Sequence, residues 1–248
     1  MLEIKKGNIF TSKAQTIVNT VNCEGVMGAG IAFELRLRHP KMFEKYKEFC
    51  KQNAIKIGTL WIYNLSKDEN ANYAKILAFP TKTSWKLPSK EEYLHAGLSK
   101  FIKTYKEKGI ESIAFPLLGA SRGGIDENVS LKIMKEYLSG AEIPVEIWHF
   151  DPSASDDLYD KFKEKFLSYD ENYIKEHTEL KTAQINALLS ALQNKNIRSM
   201  NGMLSVKGVG DLTIPNVVKT NGKNRKNITP ITLKDFAGII RHTLSKEN

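Results

Sequence analysis

Two glycine-rich segments, each set between a strand-like run and a helical pattern, constrain this 248-residue chain more than any other feature. The first is Val21-Asn22-Cys23-Glu24-Gly25-Val26-Met27-Gly28-Ala29-Gly30-Ile31-Ala32, after the apolar run 16–20. The second is Phe115-Pro116-Leu117-Leu118-Gly119-Ala120-Ser121-Arg122-Gly123-Gly124-Ile125, on the run 112–116. Strand–glycine loop–helix junctions are units of α/β architecture. They offer bare backbone N–H groups and a helix N-terminus to an anion, most often a phosphate. Glycine also serves plain turns, so one such loop says little. Two in one sheet suggest a diphosphate gripped from both sides.

Neither segment is a standard nucleotide fingerprint. Gly-x-x-x-x-Gly-Lys-Ser/Thr is absent. Met27-Gly28-Ala29-Gly30-Ile31-Ala32 begins like a dinucleotide motif but lacks its third glycine, and no acid stands at the ribose position. A hydride-transferring enzyme is therefore not expected.

Up to about residue 167 the pattern alternates strand and helix. Strand-like runs fall at 2–5, 16–21, 58–64, 75–80, 111–117 and 144–150. Between them lie a helix from Gly30 to Pro40, another over 41–52, one opening at Ser89 and closed by Gly109, and one over 126–138 ended by Gly140. Ser89 with Glu92 three residues on reads as a capping box, and Leu94, Leu98, Phe101, Ile102 and Tyr105 keep helical spacing. This alternation predicts an α/β fold, a mixed, largely parallel sheet between helices. Ligands in such sheets bind beyond the carboxyl ends of strands, where both glycine loops begin.

After residue 167 the pattern changes, and residues 168–248 read as a second domain, a small α+β module. An amphipathic helix is predicted over 177–194, carrying Leu180, Ile185, Leu188, Leu189 and Leu192. Short β-like runs at 203–206 and 212–218 follow, then a last helix over 232–244, an order that fits a small winged-helix-like unit. Charge shifts with it. Residues 1–167 hold 25 basic and 21 acidic side chains; residues 168–248 hold 12 and 7, densest in Lys219-Thr220-Asn221-Gly222-Lys223-Asn224-Arg225-Lys226. Such a run attracts nucleic acid or an acidic protein surface, or is simply a solvated loop.

The 41% hydrophobic content is ordinary for a globular protein, and no apolar run approaches a membrane span. A strand pattern begins at the first residues, so no signal or transit peptide is expected. Cys23 and Cys50 lack metal-like spacing and read as reduced thiols of a cytoplasmic protein. No metal and no cofactor is predicted, and His39, His95 and His149 read as ordinary surface or core histidines.

The strand–helix order and the loops resemble the macrodomain family, over residues 1 to about 165. The resemblance rests on Gly7-Asn8-Ile9-Phe10 after the first strand, Asn19-Thr20-Val21-Asn22 before the first loop, and Pro116-Leu117-Leu118-Gly119 opening the second. Within the family it lies nearest the DarG-type DNA ADP-ribosyl glycohydrolase antitoxins, through Val26-Met27-Gly28-x-Gly30-Ile31-Ala32 and Phe79-Pro80-Thr81-Lys82-x-x-Trp85-Lys86-x-Pro88-Ser89. It departs from them in Asn8 for the commoner acid, in Ala29 where a lysine is frequent, and in Ala120-Ser121-Arg122 for a Cys-Gly-Leu-like stretch.

That resemblance implies an ADP-ribose site. Asn8 and Ile9 would meet adenine; Asn19 and Thr20 would lie beneath the first loop. Gly28, Ala29, Gly30 and Ile31 would face the diphosphate from one side. From the other side would come Pro116, Leu118, Gly119, Ala120, Ser121, Arg122, Gly123 and Gly124. It further implies release of ADP-ribose from thymine in single-stranded DNA, an ADP-ribosyltransferase toxin as partner, and a role for residues 168–248 in binding that toxin. An ADP-ribose-1″-phosphate phosphatase, a hydrolase of protein-linked ADP-ribose, and a module that only binds ADP-ribose are the other readings.

Cleaving an N-glycosidic bond usually takes two carboxylates, yet Glu24 is the one acid in either loop. Lys82, in the loop after a central strand, reads by itself as one more surface lysine, but the resemblance at Thr81-Lys82 and the flanking Trp85 makes it the candidate instead. As an amine it can attack carbon covalently; as an ammonium it can protonate the leaving base. Asn22 either orients the distal ribose through its amide or shapes the loop as an Asx turn. Trp85 either stacks on a base or packs over the sheet edge.

Overall fold

The computed structural model describes residues 1–66, 71–177, 180–204, 206 and 209. The chain divides into two compact units, Met1–Ala154 and Ser155–Asn248. The helix over Asp157–Leu167 thus falls in the second unit, whereas the sequence pattern had run the first on to residue 167.

All six expected strands form in the first unit: β1 (Leu2–Gly7), β2 (Thr16–Asn22), β3 (Trp61–Asn64), β4 (Lys75–Lys82), β5 (Ile113–Pro116) and β6 (Val145–Phe150). They make one sheet in the order β1-β6-β5-β2-β4-β3. Every pairing is parallel except β3 with β4. The helices are α1 (Gly30–Arg38), α2 (Pro40–Lys51), α3 (Glu91–Thr104) and α4 (Glu127–Leu138). Pro40, whose ring suits only a first helical turn, separates α1 from α2. Asp126 caps α4, its carboxylate accepting from the N–H of Asn128 and Val129.

Neighbouring residues on each strand point to opposite faces, and both faces are apolar. Ile17, Val21, Ile76, Ala78 and Ala114 pack with Leu35, Met42, Phe43 and Tyr46 of α1 and α2. Val18, Leu77, Phe79, Phe115 and Ile147 pack with Leu94, Leu98 and Phe101 of α3 and Ile133, Met134 and Leu138 of α4. This is the expected helix–sheet–helix sandwich. At Gly97 on α3 the fit is tightest, since a Cβ there would overlap the ring of the fully buried Phe79. Alanine would gain about 1 kcal/mol of helix propensity but force an overpacking cost of about 1–3 kcal/mol or more. Gly97→Ala is therefore expected to lower the urea midpoint without changing the m-value; an unchanged or raised midpoint would refute this packing.

The second unit holds α5 (Asp157–Leu167), α6 (Glu171–His177), α7 (Thr182–Gln193) and the short α8 (Met200–Met203). Asp156 caps α5 and also accepts from the N–H of Met200 at 3.0 Å, tying the start of α5 to that of α8. The helix expected over 177–194 forms as α7, starting at Thr182, and α6 precedes it. The Lys181 N–H donates to the side chain of Gln184 at 2.8 Å, opening a separate α7. Its apolar face is as expected, with Leu180, Ile185, Leu188 and Leu192 buried. The β-like run at 203–206 is corrected: Met203 ends a helical turn capped by Ser199, whose hydroxyl accepts from the Gly202 N–H. The runs at 212–218 and 232–244 and the basic stretch Lys219 to Lys226 lie outside the described residues.

Candidate active site

Parallel strands β5, β2 and β4 end side by side, and each delivers one part of the site. β2 leads into the first glycine loop and β5 into the second, while β4 ends on Lys82. A register shift at the end of β2 sets Asn22 directly across from Lys82.

Asn22 builds the first loop. Its Nδ2 donates to the Val26 carbonyl at 2.6 Å, and its Oδ1 accepts from the N–H of Glu24 at 2.9 Å and of Val26 at 3.3 Å. The buried Tyr46 hydroxyl donates to the Asn22 carbonyl at 2.6 Å. The amide is thus engaged by the loop's own backbone, which is the Asx-turn reading. Beyond it, Gly30 takes a left-handed φ of +60°, and Ala29 stands at the N-cap of α1 without a capping side chain. Phe33 N–H pairs with the Ala29 carbonyl. Ile31 and Ala32 occupy the first turn, at the positive end of the helix dipole.

The second loop turns through three left-handed residues, Gly119 (φ +68°), Ser121 (φ +46°) and Gly124 (φ +83°). Its inner hydrogen bonds use the N–H of Gly123, Gly124 and Ile125. Those of Ala120, Ser121 and Arg122 are what the loop can offer a ligand. Leu118 sits below, fully buried, its carbonyl accepting from Ser130 Oγ at 2.7 Å. Ser89 proves to be part of this loop rather than the N-cap of α3, a position taken by Lys90. The Ser89 N–H donates to the Gly123 carbonyl at 2.8 Å, and its hydroxyl lies so close to Gly123 that a Cβ there would be 2.6 Å away.

Lys82 joins the two sides. Its Nζ donates to the Arg122 carbonyl at 2.5 Å, so the lysine connects the ends of the two strands that flank β2. Burial, and then the Arg122 guanidinium, hold its pKa below the ordinary 10.5. Thr81 beside it is buried. The Cys23 N–H donates to the Thr83 carbonyl, and the Glu24 carboxylate accepts from Ser84 Oγ at 2.9 Å and from the Trp85 N–H at 3.2 Å. Nothing local in the sequence signals this Glu24 tie, which spans sixty residues.

At the other end, Asn8 caps a single 3-10 turn, its Oδ1 accepting from the Phe10 N–H at 3.0 Å, and Ile9 is buried in the core. Asn19 is fully buried in β2, with Nδ2 3.9 Å from Met27 Sδ, and Thr20 is half-buried. Phe150, which the sequence pattern showed only as a strand residue, ends β6 opposite Gly7 with 55% of its surface exposed. Gly7 is the residue before Asn8.

His39 Nε2 lies 2.7 Å from the Tyr73 hydroxyl, His95 Nδ1 3.1 Å from that of Tyr137, and His149 Nδ1 3.5 Å from the Glu127 carboxylate. Among the described residues no cluster of three or more His, Cys, Asp or Glu side chains could hold a metal ion, and no helix is long and apolar enough to cross a membrane.

The family model described as the Macro domain matches residues 18–134. The "DNA ADP-ribosyl glycohydrolase" of Mycobacterium tuberculosis is 36% identical over 138 residues, 55% of this chain and 39% of that protein. The chain thus spans about two fifths of the length of this curated relative. A solved structure, the macrodomain of Mycobacterium tuberculosis DarG, is 33% identical with a TM-score of 0.57, over 60% of this chain and 97% of that one. Thermosipho africanus DarTG, solved in complex with ADP-ribose, is 30% identical with a TM-score of 0.56, over 60% of this chain and 42% of that one. Sheet order, paired glycine loops and a likeness that spans nearly the whole of the first of these structures agree, and this chain belongs to the macrodomain family.

Proposed function

We propose that the first unit is a DNA ADP-ribosyl glycohydrolase, which releases ADP-ribose from a thymine of single-stranded DNA and so counters an ADP-ribosyltransferase toxin. The observation that carries this reading is the place of Lys82, an amine of lowered pKa that bonds to the second glycine loop and lies across from Asn22, which opens the first. A relative named for this activity is 36% identical over 138 residues. A diphosphate would lie between the first turn of α1 and the N–H groups of Ala120, Ser121 and Arg122. Adenine would rest by Asn8 against Phe150, and the distal ribose would reach Lys82.

The amine can act at C1″ of the opened sugar, forming a carbon–nitrogen double bond as the base departs with a proton; water then frees ADP-ribose and restores the lysine. As an ammonium it would instead protonate the departing base. Asn22 acts in either case by holding the first loop. The test is direct: the protein, given a thymine-modified oligonucleotide, should release free ADP-ribose. Release from modified protein only, or of phosphate from ADP-ribose-1″-phosphate only, would refute the reading.

For the second unit we propose a partner-binding role toward the toxin. A chain ending at Ala154 retains both glycine loops, Lys82 and both apolar cores, so it should hydrolyse the modified oligonucleotide at near the full-length rate. It should neutralise the toxin less completely, by the share due to physical sequestration. Contact through the apolar residues of α7 should resist salt, whereas a grip on phosphates would weaken steeply between about 50 and 200 mM salt. An inactive truncated chain would show that the second unit completes the catalytic one.

A further inference from the structure

Beside Lys82 lies a feature that binding ADP-ribose leaves unused. The segment 83–88 leaves β4 at the lysine and carries Trp85, Lys86 and Leu87 on its outside. Trp85 is half-buried, and Leu87 is 53% exposed.

The segment is held rather than loose. Glu24 accepts from both Ser84 Oγ and the Trp85 N–H. The Lys86 N–H donates to Ser84 Oγ at 3.3 Å and the Leu87 N–H to the Ser84 carbonyl at 3.2 Å. One carboxylate of the first glycine loop therefore fixes the backbone that presents the indole. The Lys86 ammonium sits 5.4 Å from the centre of the Trp85 ring. Arg122, exposed, adds a second cation, whose charge Lys82 senses.

An indole paired with an ammonium, three residues along the chain from the amine proposed to meet C1″, suits a nucleic acid. Every nucleobase has a π-face for the indole and is joined to phosphates that lysine and arginine can meet. A protein side chain leaving the same carbon would bring neither a flat ring of that size nor regularly spaced anions. We infer that Trp85, positioned by Glu24, is a stacking platform for a nucleobase of the DNA substrate beyond the ribose, with Lys86 and Arg122 meeting its backbone phosphates. This rests on the glycohydrolase reading and deepens it by naming what selects DNA over modified protein.

The experiment compares wild type, Trp85→Ala and Trp85→Phe in the full chain. It follows ADP-ribose release from a modified oligonucleotide and, separately, calorimetric binding of free ADP-ribose. Stacking is worth about 1–3 kcal/mol per base, so Trp85→Ala should raise KM for the oligonucleotide roughly five- to 150-fold. Trp85→Phe should restore most of the loss, and the Kd for free ADP-ribose should stay at its wild-type value in both. Lys86→Ala should flatten the slope of log KM against log salt by about one phosphate. An unchanged KM in Trp85→Ala, with wild type active on DNA, overturns the platform and leaves the glycohydrolase reading intact. Equal losses in KM and in ADP-ribose affinity would also overturn it, by showing that the indole only supports the ligand site. A wild type active on modified protein but not on DNA would defeat the glycohydrolase reading and the platform together.

Discussion

Lys82→Ala is expected to abolish release of ADP-ribose from a modified thymine oligonucleotide while leaving affinity for free ADP-ribose within about threefold of wild type, because a group needed only in the transition state contributes to turnover and little to ground-state binding. A positioned acid or base contributes about a hundred- to ten-thousand-fold, and loss of a covalent nucleophile should cost at least as much. The side chain is half-buried and its main contact is the Arg122 carbonyl, so its removal should leave the core undisturbed. Hydrolysis by the variant at near wild-type rate would remove Lys82 from the chemistry.

The pH profile separates its two roles. Burial and Arg122 both hold the Lys82 pKa below 10.5. Arg122→Gln removes a cation, so the pKa rises and the limb that belongs to Lys82 moves to higher pH. If the amine is the working form, activity at pH 7 falls, because less of it is deprotonated. If the ammonium works, activity at pH 7 is kept and the alkaline loss shifts upward. Borohydride added during turnover should trap the protein–sugar adduct in the first case and leave the protein unmodified in the second.

The second large effect is expected at Gly119, compared with Gly124 in the same loop. Both have positive φ, which costs any other residue about 1 kcal/mol. At Gly124 a Cβ would meet nothing within 4 Å, so Gly124→Ala should cost little more than that. At Gly119 a Cβ would lie 2.7 Å from Ile125 Cδ1 and 3.2 Å from Leu94 Cδ1 and Ser89 Cβ. Ile125 and Leu94 are buried core residues, so they can give way only by repacking. Overpacking adds about 1–3 kcal/mol, for a total of about 2–4 kcal/mol in Gly119→Ala. ADP-ribose affinity should fall about tenfold or more, since the N–H groups of Ala120, Ser121 and Arg122 follow directly on the displaced residue. Equal stability and affinity in the two variants would mean that the second loop tolerates a side chain at Gly119 and is not held as described.

The sheet was legible because its cause is local. Apolar runs with β-branched residues, separated by helical periods and closed by Pro40 or Gly109, reveal element type before any tertiary contact is known. The same holds for Asp126, whose short carboxylate reaches the next turn of its own chain. Ser89 shows where local reasoning stops. Its spacing to Glu92 suits a capping box, yet the serine is drawn to Gly123, thirty-four residues on, and the helix begins one residue later. The boundary near residue 154 is a case of the same kind, since the amphipathic pattern of α5 does not say against what it packs. Asp156, tied to both α5 and α8, belongs to the second unit through a contact forty-four residues away.

For the site, the sequence by itself determined the parts: two glycine loops, a lysine at a strand end, and an asparagine able to form an Asx turn. Each follows from residue chemistry over a few positions. Only the tertiary structure decided how they are joined. Parallel pairing of β5, β2 and β4 brings Lys82 to the Arg122 carbonyl and Asn22 across from Lys82. It also brings the Glu24 carboxylate to the Trp85 N–H, while the pairing of β1 with β6 sets Phe150 across from Gly7. Those contacts connect residues that lie far apart along the chain, and no local pattern encodes a distance that only the packed sheet creates.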